Sequence, residues 1–307
     1  MSEPKDVAFI APGVNAKRFV RECMQSLRDS DWGGCTYEVI YCDNGSTDGT
    51  IEMMADEFPE VRVLDNGKNL GYCIACNQGA RVANSRYYFF ANDDIVVRDL
   101  AIPKLVKYMD QHADVATAGA RLVFPDGREQ WSGRLFPGMA SSIFSRRGRL
   151  TKLFPNLHTV REYLCKDGVE KGEPFEVDWV SAAGQIVRPE HFWEVGGFAE
   201  DYYYWHELVL CHRFKQRGHK VVLHPQSVIV HYEGVGSGPR PFSRERFHII
   251  DFHRGAFRAY NEINELHRFG PASVFAACML TVRAAIMFTA AAGRAAVRSL
   301  RPTGAKS

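Results

Sequence analysis

Over the first hundred residues, short apolar runs alternate with segments whose apolar positions recur every three to four residues. Val7–Ala11 is an apolar run closed by Pro12-Gly13. Lys17–Leu27 then carries Phe19, Val20, Cys23 and Leu27 at helical spacing. Tyr37–Cys42 reads as a buried strand, and Val61–Leu64 and Tyr87–Ala91 as a third and a fourth strand. Between them, a helix carries Ile51, Met54 and Phe58, capped by Ser46 or Thr47, and another spans Tyr72–Val82. This alternation predicts a parallel sheet with helices on both faces. Ligands of such sheets gather at the carboxyl ends of the strands. Those ends read Ala11-Pro12-Gly13, Asp43-Asn44-Gly45 and Asn92-Asp93-Asp94.

Beyond residue 115 the periods mix. Val115–Phe124 and Glu176–Val187 are predicted strands, separated by an aperiodic stretch from about 125 to 175 read as loops over a cleft. Glu207–Lys215 reads as a helix. Lys220–Leu223 and Val228–His231 read as two short strands around Pro225, and Phe242–Leu266 as mainly helical.

Composition is that of a globular chain: 46% apolar and 24% charged residues, with 38 Lys+Arg against 36 Asp+Glu. That balance excludes a disordered chain and implies no nucleic-acid partner. The charge is unevenly placed, however. No acid occurs from Leu266 onward, where Arg268, Arg283, Arg294, Arg298, Arg301 and Lys306 lie, so the body before it is net acidic. A basic end of this kind points to a polyanionic surface. Eight scattered cysteines and no secretory leader fit reduced thiols in the cytoplasm. Cys73-x-x-Cys76 lacks a second pair at zinc spacing and reads as helix packing rather than a metal or redox site.

Two strand ends carry candidate chemistry. Asp93 and Asp94 repel one another, and a divalent cation bound to a diphosphate would relieve this, since Mg²⁺ and Mn²⁺ prefer carboxylate and phosphate oxygens. Equally, Asp94 caps the helix that follows. The octet Asp43–Thr50 either grips a nucleoside with its side chains and amides or is a loop with an Asx or Ser/Thr cap.

Taken together in order, these segments resemble family 2 glycosyltransferases with a glycosyltransferase A-type fold. The likeness is strongest to bacterial enzymes of the rhamnosyl and galactofuranosyl type, and spans about residues 6–235. Glu38–Thr50 looks like the nucleotide-binding segment, and Asn69-Leu70-Gly71-Tyr72 with Asn77-Gln78-Gly79 like the next donor-side motif. Asn92-Asp93-Asp94 stands in the place of the Asp-x-Asp metal motif. Trp179–Gly184 resembles the acceptor-side loop, and Val195-Gly196-Gly197-Phe198 the turn before the catalytic segment.

The resemblance implies an α/β, Rossmann-like fold with a mixed central sheet in residues 1–240, followed by a helical extension in 241–307. Donor contacts would come from Pro12, Asn15, Asp43, Asn44, Gly45, Ser46, Asn69, Gly71, Asn77, Asn92 and Asp93. Acceptor-side contacts would come from Trp179, Ala183, Gly184, Trp205 and His206, and metal ligands from Asp94, Asp93 and His231.

The catalytic segment departs from the family pattern of Glu-Asp, a residue, Asp-Leu-Cys and an Arg. Here it reads His206-Glu207-Leu208-Val209-Leu210-Cys211-His212-Arg213. Anchoring on Leu210-Cys211 and Arg213 puts Glu207 at the base position, with His206 replacing Glu and Val209 replacing Asp. Glu207 lies 24 residues before His231, as the base does before the family's His. On residue type alone, Glu207 is equally a carboxylate at a helix N-terminus, and His231 equally a strand-end residue. A glutamate also reaches about 1.5 Å further than an aspartate. His206, His212, His219 and His224 read as solvated or interface residues. Tyr202–Trp205 either lines the acceptor cleft or packs in a core.

On a helix turning about 100° per residue, Arg283, Arg294, Arg298 and Arg301 fall on one stripe, with Phe275, Ala277, Met279, Ile286 and Phe288 outside it. Residues 271–301 therefore read as a helix on an anionic membrane surface with its arginines toward head groups, or as a helix docked on the body. The sequence thus predicts an inverting, Mg²⁺- or Mn²⁺-dependent glycosyltransferase. It would use a UDP- or dTDP-sugar and a lipid-linked or cell-envelope acceptor, peripheral on the inner face of the cell membrane. The alternatives are a catalytically degenerate scaffold and a dehydrogenase; the first turn, Ala11–Asn15, lacks the Gly-x-Gly-x-x-Gly loop that the latter needs.

Overall fold

A computed structural model describes residues 3–138, 149–233 and 242–299. They fall into two compact units, one of residues up to Glu200 with His206–Gly236, the other of Asp201–Trp205 with the C-terminal helices. The boundary expected at residue 240 lies outside the described residues.

The first unit opens with β1 (Lys5–Gly13), α1 (Lys17–Asp29), β2 (Tyr37–Asp43), α2 (Thr50–Glu57), β3 (Arg62–Asp65), α3 (Tyr72–Val82) and β4 (Ser85–Ala91). β5 (Ile95–Val97), α4 (Ala101–Gln111), β6 (Val115–Val123) and β7 (Gly133–Arg134) follow. Then come α5 (Arg149–Leu153), α6 (His158–Tyr163), α7 (Lys166–Lys171), β8 (Phe175–Glu176), β9 (Trp179–Val180), β10 (Gly184–Val187), α8 (Pro189–Glu194), α9 (His206–Gln216) and β11 (Lys220–His231).

β1 pairs in parallel with β2 and β4, and β2 with β3. The central strands are buried along almost their whole length, the signature of a parallel sheet covered on both faces. One covering helix, α1, buries Val20, Cys23, Met24 and Leu27, an i, i+3, i+4, i+7 stripe. Cys73 and Cys76 are buried on α3, and all eight cysteines are free thiols.

The sheet is mixed rather than parallel throughout. Its order is β3-β2-β1-β4-β10-β6-β11-β5, and β10 runs antiparallel to both β4 and β6. β5 is an antiparallel edge on β11. The single strand expected over Glu176–Val187 is three strands. The chain breaks at Asp178, whose carboxylate accepts hydrogen bonds from Phe136 N and Lys215 Nζ at 2.7 Å each. β8 then pairs β11, β9 forms a ribbon with β7, and β10 enters the main sheet. Conversely, the two strands expected around Pro225 are one, β11, with a register shift between His224 and Val228 that absorbs the proline. The stretch read as loops contains α5, α6, α7 and β7. His212 and His224, expected in solvent, are buried core residues.

The second unit holds α10 (Phe242–Ile263) and α11 (Pro271–Ser299), packed on one another. Here the arginine stripe faces the opposite way from expectation. Arg283 Nη1 lies 3.1 Å from His253 Nε2 on α10, with its guanidinium over the Phe252 ring, and Arg294 pairs with Glu245. α10 supplies the ring, the imidazole and the carboxylate that engage these arginines, Arg283 partly buried and Arg294 still 57% exposed. The side left open is apolar: Phe275, Met279, Val282 and Ile286 are exposed, Ile286 by 65%. α11 is long and apolar enough to cross a membrane by length and composition. The side chain of Arg298, and Arg301 and Lys306 entirely, lie outside the described residues.

Candidate active site

The parallel register sets Gly13 beside Asp43, so the ends of β1, β2 and β4 form one rim. Asp43 is fully buried, and its Oδ1 accepts the amides of Gly45 at 3.0 Å and Ser46 at 2.7 Å while Oδ2 accepts the Ser46 hydroxyl. It therefore shapes the loop from beneath. Ser46 Oγ also accepts from Asn15 N at 2.9 Å, and Asn15 Oδ1 accepts from Thr47 N at 2.7 Å, tying the first turn to the octet. Gly45 has φ +81°, and a Cβ there would lie 2.9 Å from the Lys68 backbone, so the close approach of the 43–50 and 65–71 loops requires glycine. Asn44 bridges the same loops, its Oδ1 accepting from Asn66 Nδ2 at 3.1 Å. Asn69 Oδ1 accepts from Gly71 N at 2.9 Å, and Pro12 is buried within β1. Asn15, Asn44, Gly45, Ser46, Asn69 and Gly71 thus belong to one interlocked loop cluster at the rim.

Asp93 and Asp94 part company. A Cβ on Gly13 would meet Asp93 Oδ2 at 2.2 Å and the Tyr41 hydroxyl at 2.4 Å, so the Asp93 carboxyl leans over β1. Burial, then the neighbouring Asp94 charge, push it up to about 8. Asp94 turns instead to His231, its Oδ1 3.2 Å from Nε2, and that buried oxygen accepts no hydrogen bond.

His231 is held by a residue that escaped the sequence reading. Gln130, 1% exposed, donates from Nε2 to the His231 carbonyl at 2.6 Å, and its Oε1 lies 2.9 Å from His231 Nδ1. A carbonyl can only accept, which fixes the amide orientation and puts the imidazole proton on Nδ1. The Nε2 lone pair then faces Asp94 and the Asn92 amide, whose Nδ2 is 3.1 Å away. Two ligand atoms on an octahedral Mg²⁺ or Mn²⁺ stand about 3 Å apart when each bond is about 2.1 Å. The orphaned Asp94 oxygen and the oriented Nε2 fit such an ion.

Glu207 lies in the first turn of α9, 20% exposed, with Oε2 3.5 Å from His206 Nε2. The His206 ring stacks on Tyr72 at 4.8 Å and meets Phe198 edge-on at 5.4 Å. Tyr72, quoted only as part of a motif, donates its hydroxyl to Ala182 O at 3.0 Å and so joins α3 to the 181–184 loop.

Several candidates are packed rather than presented. Asn77 is buried, with Nδ2 donating to Phe198 O at 2.9 Å and Glu200 Oε1 at 3.0 Å, and Oδ1 accepting from Phe198 N at 3.0 Å. It braces the turn before the catalytic segment and has no group left for a nucleotide. Trp179 is buried under the Arg134 guanidinium with its indole N–H on Leu135 O, and Ala183 and Gly184 are buried where the chain enters the sheet. They shape the 179–184 segment from within. Trp205 belongs to the second unit, donating its indole N–H to Phe252 O at 3.0 Å.

Residues 9–164 match the model of glycosyl transferase family 2. The N-acetylglucosaminyl-diphospho-decaprenol L-rhamnosyltransferase of Mycobacterium tuberculosis is 28% identical over 270 residues, covering 81% of this chain and 84% of that protein. A glycosyltransferase of Escherichia coli K12, YibD, is 31% identical over 43% of this chain and 38% of its own. Among solved structures, the mannosyltransferase PcManGT from Pyrobaculum calidifontis, in complex with GDP-Man and Mn²⁺, superposes with TM-score 0.60 at 15% identity, covering all of this chain and 77% of that one. GalNAc-T7 with UDP, GalNAc and Mn²⁺ gives TM-score 0.60 at 15% identity over 89% and 54% of the two chains. The fold is thus of the glycosyltransferase A type. With the family model spanning half of its length from within β1 through α6, the chain belongs to glycosyl transferase family 2 and is a glycosyltransferase.

Proposed function

We propose that the protein moves a sugar, with inversion, from a UDP- or dTDP-linked donor to a lipid-linked or cell-envelope glycan acceptor. The observation that carries this reading is the pairing of an unpartnered Asp94 oxygen with a His231 lone pair at the rim of the β1–β2–β4 ends. Asp94 and His231 would hold a divalent cation, which when bound offsets the charge on the departing diphosphate. The interlocked loops from Asn15, Asp43–Ser46 and Asn69–Gly71 would form the rim on which the nucleotide sits. Support for the acceptor class comes from the mycobacterial relative, whose name specifies a decaprenyl-diphosphate-linked acceptor.

Glu207 would take the proton from the acceptor hydroxyl as that oxygen bonds to the anomeric carbon, while the bond to the diphosphate breaks and its electron pair leaves with the nucleotide. Glu207→Gln should reduce transfer at least ~10²-fold, the range of a lost general base, and leave nucleotide-induced thermal stabilisation intact. Transfer at the wild-type rate would overturn the assignment. The open apolar side of α11 would seat the enzyme on the cytoplasmic face of the membrane, where such an acceptor resides.

A further inference from the structure

At the opposite end of the strands, three side chains from two chain segments converge. His191 and Glu194 stand at i and i+3 on α8, on one face of that helix. His219 follows Gly218, whose φ of +83° turns the chain out of α9 into β11. His191 Nδ1 lies 3.6 Å and His219 Nε2 3.3 Å from the same oxygen, Glu194 Oε2, and one ligand atom from each of the three residues falls within 4.8 Å of the others. The two imidazole rings are 3.7 Å apart between centroids. Arg217 Nη1 sits 3.7 Å from the other oxygen, Oε1, which leaves Oε2 to the two rings.

We propose that His191, Glu194 and His219 form a binding site for a zinc-class divalent ion, with a fourth position open to water. Two imidazoles and one carboxylate are a zinc ligand set; imidazole suits Zn²⁺, Cu²⁺ and Ni²⁺, whereas Mg²⁺ favours oxygen throughout. A tetrahedral ion with bonds of about 2.0–2.1 Å has edges of about 3.3–3.4 Å. Two edges, 3.3 and 3.6 Å, stand near that value already. The third closes by side-chain rotation that unstacks the rings.

The site is distinct from the strand-end pair. β10 runs antiparallel to β4 and ends with Val187 beside Tyr88, at the middle of β4, heading away from the β4 end that Asp94 follows. From Tyr88 to the end of β4 is three residues, roughly 10 Å at about 3.3 Å per residue, and α8 begins two residues further away. A bound ion would clasp α8 to the C-terminal end of α9, the helix whose first turn carries Glu207.

The test uses the full chain carrying Asp94→Asn and Cys278→Ser, which removes the strand-end carboxylate and the exposed thiol. Zn²⁺ is titrated against a chromophoric chelator, and Co²⁺ binding is followed by its visible d–d absorption. We expect one equivalent of Zn²⁺, a tetrahedral Co²⁺ spectrum, and at least a tenfold loss of affinity on adding His219→Ala or Glu194→Gln. His219→Asn, checked by circular dichroism, serves if the alanine variant does not fold. No uptake of Zn²⁺, or unchanged affinity in the folded ligand variants, overturns the proposal.

Discussion

Replacing Gln130 by leucine separates a packing role from a role in holding His231. Leucine is close in size, so the perturbation is chemical rather than steric. It removes the 2.6 Å donation to the His231 carbonyl and the 2.9 Å contact that takes the Nδ1 proton. Both groups belong to a residue only 5% exposed, so neither regains water. A buried polar group left without its partner costs about 1–3 kcal/mol, so two set the loss of folding stability at about 2–6 kcal/mol. That loss is read by urea denaturation without metal.

The second readout is Mn²⁺ affinity. Without Gln130 the ring can turn or change tautomer, and loss of such an outer partner typically weakens metal binding about 10–100-fold. Titration of Mn²⁺, followed by the electron paramagnetic resonance of the free ion, measures it on the folded protein. Gln130→Glu keeps an acceptor for Nδ1–H while losing the donation to the carbonyl, and should retain more Mn²⁺ affinity than the leucine variant. A leucine variant that is destabilised yet binds Mn²⁺ as wild type does would refute the positioning role and leave Gln130 as a core residue.

Two further outcomes follow from the geometry. The Asp93 carboxyl stands at about 8 in the fold against 3.8 when unperturbed, so the folded state binds the extra proton. Its contribution is fully present below about pH 4, is lost as pH rises to about 8, and is constant above that. Asp93→Asn should therefore flatten the pH dependence of Tm between those limits in metal-free protein and raise Tm at pH 8; an unchanged profile would contradict the buried, crowded carboxyl. On α11, Ile286→Glu and Val282→Glu place charge on the open apolar side. Each should weaken sedimentation with anionic vesicles by at least about tenfold, since a fully buried aliphatic side chain contributes about 1.5–3 kcal/mol. Arg294→Ala, which breaks an ion pair facing α10, should change it far less; the reverse order would restore the arginines as the lipid-facing side.

β1, β2 and β4 were legible because each is a continuous apolar segment buried on both faces, and because the rim motifs follow directly on them in the chain, whereas β3 is short and partly exposed. The insertion of β10 between β4 and β6 was not, since its partners lie about seventy to a hundred residues upstream and no local period encodes them. The same limit explains the misplaced site residues. Asn77 and Trp179 sit in motifs of the right order, yet motif order does not say whether a side chain faces the cleft or braces the loop behind it. Gln130 had the opposite fault: it lies in an aperiodic stretch, and only the fold brings it to a histidine 101 residues away.

The arginine stripe shows the limit most sharply. Helical periodicity states which residues share a side of α11, and the stripe of Arg283 and Arg294 is real. Periodicity does not state which side meets a neighbour, because that depends on what the neighbour offers. Ordinarily arginine seeks water, so the apolar side would be expected to pack. Here α10 presents the Phe252 ring, the His253 imidazole and the Glu245 carboxylate along one line, and each meets an arginine of α11. These contacts tie Arg283 and Arg294 to α10, although Arg294 stays 57% exposed, and Phe275, Met279, Val282 and Ile286 are left outward together. Under the proposed seating on a membrane, the arginines tied to α10 and the outward aliphatic residues act together: the ties leave an apolar strip for lipid to cover.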